Sequence, residues 1–278
     1  MTGPAAGKPS TTEKGAGLRS WEELGLHAEV EGPADGPALV LSNALGGTRE
    51  MWGSQLPALT EHHRVVRYDQ RGHGFSQAPP GPYLLEDLAE DVLVLLDHLE
   101  IRSASFAGSS LGGMIGLWLA AHAPDRIGTL TVCCTSAWLD GRETELDRAR
   151  AAREHGTNEL VSPTIERWFT PYFREHHSVE TADYAAMIAG TDDEAYALCC
   201  EVIAHADLRA DLPAISAPTL VISGADDPAT PSEHGAAIAD GIGDNARLEV
   251  LPHAAHLANV ERAADFDRLL TGHLAVRP

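Results

Sequence analysis

The sequence predicts an α/β fold in which a mostly parallel central sheet carries helices on both faces and a block of helices is inserted as a lid. Three observations carry this prediction. Strand-like and helix-like segments alternate from residue 26 onward, the order that crossover connections between parallel strands impose. Between about Ser136 and Pro213 the alternation stops, and only charged, amphipathic helical segments appear. Finally, Gly108-Ser109-Ser110-Leu111-Gly112 falls between a predicted strand and a predicted helix, where a G-x-S-x-G pattern becomes a sharp turn that presents a serine.

Leu26 to Glu31 and Ala38 to Ser42 are short β-rich runs broken by the turn Gly32 to Pro37, which reads as a hairpin-like opening. Arg64 to Asp69 is the next strand and leads into the Gly-rich loop Arg71-Gly72-His73-Gly74. Within Leu84 to Leu99, apolar Leu85, Leu88, Val92, Leu95, Leu96 and Leu99 recur at helical spacing with carboxylates opposite. Ser103 to Ala107 is a strand. Leu111 to Ala123 is apolar nearly all round, like a helix buried against a sheet, and Pro124 ends it. Ile127 to Cys134, Pro218 to Ser223 and Arg247 to Leu251 are further strands. A helix around Glu233 to Gly241 separates the last two, and Asn259 to Leu274 is the closing helix. The predicted organisation is a flexible tail over 1–18, a core of 19–135 and 214–278, and a helical lid over 136–213 carrying Trp168, Phe169, Tyr172, Phe173, Tyr184 and Tyr196. A lid so placed covers the carboxyl ends of the strands, where ligands bind in open α/β sheets.

Twenty Lys plus Arg against 41 Asp plus Glu give a formal charge of −21. That field repels nucleic acid and anionic membranes, so neither is an expected partner; the expected partner is a small molecule. An anionic substrate needs a local cation to offset the same field. No apolar run approaches the ~20 residues of a membrane span. Met1 to Gly17 is rich in Gly, Pro, Ala, Ser and Thr and lacks the apolar centre of an export signal, so a soluble, cytoplasmic protein is expected. Cys133-Cys134 and Cys199-Cys200 lie in apolar segments and read as buried thiols, not disulfides. Nothing in the sequence specifies an oligomer.

Ser110 is the candidate nucleophile. The glycines two residues either side allow the tight reversal, and the backbone N–H of Leu111 at the helix start faces a developing oxyanion. Serine needs a base. Among 14 histidines, His256 is favoured because it follows the last strand in the loop Pro252 to His256, with His253 as its competitor. For the acid, the loop Gly224 to Pro231 offers Asp226 and Asp227, and Asp227 matches a Gly-x-x-Asp-x-x-x-Pro register that turns it toward the histidine. Its task is to hold the tautomer and stabilise the imidazolium. The backbone N–H of Leu45, in Ser42 to Gly47 after the second strand, is the candidate second oxyanion donor. The chain order Ser, Asp, His is that of the α/β-hydrolase fold. The pairs His62-His63 and His176-His177 have no further ligands at metal spacing and read as solvent-facing side chains, so no metal is expected.

At this level of detail the chain resembles a known family. Arg67 to Ser76 (Arg-Tyr-Asp-Gln-Arg-Gly-His-Gly-Phe-Ser), Ser110 to Gly116 and Ala255 to Glu261 are similar to segments of the 3-oxoadipate enol-lactonases of the β-ketoadipate pathway. So are two narrower motifs of the lid, Glu166-Arg167-Trp168-Phe169-Thr170-Pro171 and Cys199 to Leu208, and the resemblance runs from about Ala38 to Leu274. It implies hydrolysis of the enol-lactone of 3-oxoadipate, a small anionic lactone, to the open dicarboxylate without a cofactor. Arg167 and Trp168 become candidates for gripping the substrate carboxylate and ring, and Trp138 for lining the mouth; the other reading makes Trp168 and Phe169 lid core and Arg167 a surface ion-pair partner. Family members carry Ile-Gly-Thr and a following tryptophan at the start of the lid. Here that stretch is Ala137 to Glu145, with Trp138 displaced toward the preceding strand, and Ser109 stands where a larger apolar residue is expected. A carboxylesterase or natural-product tailoring hydrolase with an altered lid, and a non-catalytic ligand-binding receptor, are the alternative functions.

Overall fold

A computed structural model describes residues 25–275, so the tail expected over 1–18 lies outside the described residues. Among these residues seven strands form one sheet in the order β1-β3-β2-β4-β5-β6-β7. They are β1 (Ala28–Glu31), β2 (Ala38–Ser42), β3 (Arg64–Tyr68), β4 (Ala104–Ser109), β5 (Ile127–Cys133), β6 (Thr219–Gly224) and β7 (Ala246–Leu251). All pair in parallel except β1, which runs antiparallel to β3 with Val30 opposite Val66.

The hairpin-like opening is therefore corrected: β3 lies between β1 and β2. Burial explains the order. Leu39, Val40 and Leu41 of β2 are fully buried, and a strand apolar on both faces belongs inside a sheet. β1 instead carries Glu29 and Glu31, which reach Arg67 at 2.9 and 2.6 Å, and an edge tolerates such charge.

The two faces of the sheet bury separate clusters, and the alternation of side chains along each strand assigns residues to them. Val40, Val66, Phe106 and Val221 point to the face covered by α1 (Leu85–His98), α2 (Leu111–His122) and α8 (Ser232–Ile242). Leu39, Leu41, Val65 and Leu220 point to the opposite face, where Phe266, Leu269 and Leu270 of α10 (Ala263–Leu274) pack. The expected single closing helix is broken in two, because Arg262 (φ −124°, ψ 45°) separates α10 from the short α9 (Ala258–Glu261).

Five helices lie between β5 and β6: α3 (Arg142–His155), α4 (Val161–Trp168), α5 (Pro171–His176), α6 (Ser178–Ala189) and α7 (Asp193–His205). Tyr196, Cys199 and Cys200 of α7 are completely buried, so this helix is the core of the insertion. A single antiparallel bridge joins Trp138 to Asp207 at the base of the insertion. Among the described residues no helix is long and apolar enough to cross a membrane.

One buried ion pair ties the loop after β3 to α1. Arg71 donates through Nε (2.7 Å) and Nη2 (2.6 Å) to Asp91, with the guanidinium over the Tyr83 ring. Replacing Arg71 by Leu removes both guanidinium donors from a buried carboxylate and is expected to cost about 3–5 kcal/mol. The loss should appear as a lower urea midpoint at unchanged slope, with the double variant Arg71→Leu, Asp91→Leu recovering much of it.

Candidate active site

β4 ends at Ser109 and α2 begins at Leu111, which leaves Ser110 alone to reverse the chain. Its backbone takes φ 53° and ψ −114°, a region that side-chain-bearing residues avoid. A Cβ on Gly108 would collide with the Gly112 carbonyl, and one on Gly112 with the Ser42 carbonyl, so both positions require glycine. The Ser110 N–H donates to the Cys133 carbonyl (2.9 Å), and the Ser110 carbonyl accepts from Thr135 Oγ1 (2.7 Å).

His256, in the loop after β7, meets this serine. Its Nε2 is 2.9 Å from Ser110 Oγ and its Nδ1 is 2.8 Å from Asp227 Oδ2. The Asp227 carboxylate also accepts from the amides of Ala229 (2.8 Å) and Thr230 (3.1 Å) and from Thr230 Oγ1 (2.7 Å). An ionised carboxylate only accepts, so Nδ1 carries the imidazole proton and the Nε2 lone pair faces the serine hydroxyl. Burial alone would raise the Asp227 pKa. The His256 charge, its hydrogen bond and those from Thr230 outweigh that effect and lower the pKa to about 2. Asp226 and His253, the competing residues, are exposed and belong to the wall of a separate hollow.

Leu45 and Leu111 line the same cavity as Ser110. The amides flanking Leu45 are occupied: Ala44 donates to Met51 Sδ (3.4 Å) and Gly46 to His73 Nε2 (2.9 Å). Those flanking Leu111 are occupied by Cys133 and Asn43 carbonyls. Among the described residues the Leu45 and Leu111 amides donate to no protein acceptor, which leaves both for a ligand oxygen. His73 thus sets the loop. Its Nε2 must accept from Gly46, so its Nδ1 donates to the Arg71 carbonyl (3.0 Å), and burial lowers its pKa and keeps it neutral.

The cavity over these groups holds about 330 Å³, and the helical insertion supplies much of its wall. Arg167 and Trp168 of α4 both line it. Trp168 is at once insertion core, edge-on to Phe169 and Tyr184, and cavity wall. Arg167 is not a surface ion-pair partner. Its Nη2 donates to Thr164 Oγ1 (3.2 Å), and among the described residues it meets no carboxylate within salt-bridge reach. Burial and the neighbouring Arg148 charge both lower its pKa, so an added anion would stabilise it.

Trp138 is a correction, because it does not reach this cavity. The Ser136 hydroxyl accepts from Trp138 N (3.0 Å) and donates to Trp138 O (2.6 Å), and Arg209 lies over the ring at 4.2 Å, which holds the indole over a different hollow. Leu139, Asp140 and Glu145 of the divergent 137–145 stretch enter the wall instead. Sequence reasoning missed Arg148, which pairs with Glu145 (2.7 Å) and donates to Tyr196 Oη (2.5 Å), and it gave no role to His73 or Thr230.

Fold and site together define a hydrolase class in which a serine stands on a strand-to-helix turn at the carboxyl ends of parallel strands. The α/β hydrolase fold family matches residues 37–263, and the chain belongs to that family. Within it the chain is a relative of the 3-oxoadipate enol-lactonases. It is 40% identical to 3-oxoadipate enol-lactonase 2 of Acinetobacter baylyi over 88% of this chain and 91% of that one. The crystal structure of the enol-lactonase from Burkholderia xenovorans LB400 matches with a TM-score of 0.88 at 42% identity, covering 90% of this chain and 96% of that one. A relative from Variovorax paradoxus named for carbamate hydrolysis is 36% identical over 90% of this chain and 96% of its own.

The lowered Asp227 pKa has a consequence for stability. A carboxyl titrating lower in the folded than in the unfolded chain stabilises the fold above the unfolded value, and that contribution disappears as pH falls through the folded value. Wild-type protein should therefore lose on the order of 2 kcal/mol more than Asp227→Asn between about pH 4.5 and pH 2. Urea denaturation at the two pH values measures the difference, and equal losses would contradict it.

Proposed function

We propose that the protein opens a small anionic lactone, the enol-lactone of 3-oxoadipate, through an acyl-enzyme on Ser110. His256 Nε2 takes the hydroxyl proton as Ser110 Oγ attacks the lactone carbonyl, and Asp227 stabilises the imidazolium that forms. The oxyanion accepts hydrogen bonds from the Leu45 and Leu111 amides, each worth about 3 kcal/mol at the transition state. Collapse expels the ring oxygen as an enolate, which takes the proton from His256 and stays tethered through the acyl group. Water, deprotonated by His256, then attacks the ester carbonyl, and collapse breaks the bond to Ser110 Oγ, which takes that proton back from His256 and frees the acid. The helical insertion over 136–213 acts as the lid that holds the tethered intermediate, and the site of action is the cytoplasm.

One observation carries the choice of an anionic substrate. Arg167 presents a guanidinium without a carboxylate partner to the cavity that contains Ser110 and His256. In a chain of formal charge −21 that local cation is what an anion requires. Trp168 supplies a flat wall for the ring. A second reading, an esterase with an altered lid, draws on Asp140 and Glu145, whose carboxylates line the same cavity and oppose a dicarboxylate product. Comparing kcat/KM for the enol-lactone with a panel of neutral esters decides between them.

Ser110→Ala should abolish the burst of nitrophenol from a nitrophenyl ester, and Asp227→Asn should lower kcat by roughly 10⁴-fold. Arg167→Ala should raise KM for the anionic lactone well above its effect on a neutral ester. Equal effects on the two substrates would remove the carboxylate-binding role.

A further inference from the structure

His256 is held from both sides by the helical insertion. The residue after it, Leu257, donates its N–H to the Trp168 carbonyl (3.0 Å). The residue before it, Ala255, donates its N–H to Glu261 Oε2 (2.5 Å). The other oxygen of that carboxylate, Oε1, accepts from both the amide (2.8 Å) and the hydroxyl (2.7 Å) of Thr170. Residues 168 and 170, at the end of α4 and the start of α5, are thus bonded directly or through one carboxylate to both neighbours of the candidate base.

The chemistry of these bonds is asymmetric. All three partners of Glu261 are donors, so the position demands a group with two accepting oxygens and no hydrogen to give. A glutamine has nearly the same shape, but its NH₂ would face either the Ala255 N–H or the two Thr170 donors. Burial raises the Glu261 pKa, and the bonds from Ala255 and Thr170 oppose the rise without cancelling it. Cations do not explain the placement: among the described residues no Lys, Arg or His lies within ion-pair distance of this carboxylate, and its partners are the histidine loop and the insertion. The α9–α10 break falls at the next residue, Arg262, so Glu261 ends a four-residue helix and can turn back to that loop.

We infer that Glu261 is a positioning residue that couples the insertion to the base: it fixes the His256 backbone relative to Trp168 and Thr170, so that the segment forming the cavity wall also aligns the imidazole on Ser110. The inference rests on the proposed role of His256 as general base. Trp168 is the physical link, since its indole lines the cavity while its carbonyl holds Leu257. A ligand that presses the Trp168 wall therefore acts on the same segment that holds His256.

The test compares Glu261→Gln with Glu261→Asp, Thr170→Val and His256→Ala on nitrophenyl acetate, a neutral ester that does not use Arg167. Glu261→Gln is expected to lower kcat by on the order of 10–100-fold, the effect of misplacing a catalytic group by about 1 Å, with KM within threefold. The low-field NMR resonance of the Nδ1 proton shared by His256 and Asp227 should shift or broaden in the same variant. Glu261→Asp, which keeps two accepting oxygens, should recover part of kcat. Thr170→Val removes one donor and should lower kcat in the same direction by less; if Glu261→Gln does not fold, Thr170→Val and the proton resonance carry the test. Wild-type kcat and an unchanged resonance in folded Glu261→Gln, or in Thr170→Val where it stands alone, overturn the inference while leaving His256 in place. Full activity in His256→Ala instead overturns the reading on which it rests.

Discussion

The site depends on a group that can accept hydrogen bonds and give none. Asp227 is buried with four donors around its two oxygens: two amides, one hydroxyl and the His256 Nδ1–H. Because those oxygens carry no proton, Nδ1 must, and because Nδ1 does, Nε2 presents a lone pair to Ser110. The same proton accounting applies at His73, where an amide donor from Gly46 fixes the tautomer in the same way. In both rings the tautomer follows from the identity of the neighbouring groups. The strand ends bring these neighbours together, since β4, β6 and β7 run parallel and release their loops at one edge of the sheet.

That order is built on local strain. Ser110 holds a positive φ because both flanking elements are fixed, β4 in the middle of the sheet and α2 packed across it. Close packing comes from missing side chains: a Cβ on Gly116 of α2 would stand 2.8 Å from the Phe106 ring, so the helix sits directly on β4. The conformational cost at one residue is offset by burial along the apolar length of α2, which is why the serine can be both strained and well ordered.

Much of this was legible in the sequence. β2 (Ala-Leu-Val-Leu-Ser) and α2 are nearly continuous apolar runs, a pattern that burial on both sides imposes, and their ends fell within a residue of those observed. Ser110, Asp227 and His256 were legible because each sits in a short loop immediately after a strand, where the chain has little freedom. The order of β1 and β2 was not, since a Gly-Pro turn permits a hairpin and only the Arg67 contacts to Glu29 and Glu31 reveal an edge strand. Trp138 misled for a related reason: sequence placed it near the mouth, but Ser136 and Arg209 turn it elsewhere. Arg148 was hidden inside a charged helix whose arginines look alike until α7 packs against it and places Tyr196 beside one of them.

The electrostatics separate two distances that composition alone confounds. A formal charge of −21 repels an anion as it approaches, yet that repulsion is spread over exposed carboxylates and is screened beyond about 8 Å at physiological salt. Inside the cavity the balance is set by a few partly buried groups, where water no longer weakens each interaction to the same degree. Glu145 already neutralises Arg148 there, whereas Arg167 feels Arg148 and burial without a carboxylate bound to it. Among the described residues the wall thus holds one guanidinium without a carboxylate partner, Arg167, and one exposed carboxylate, Asp140, beside the Arg148–Glu145 pair. In the proposed reading a substrate carboxylate pairs with Arg167, which a neutral ester cannot do. Association should accordingly be slow at low ionic strength and faster as salt rises, while retention of the anion is governed by the guanidinium and changes little.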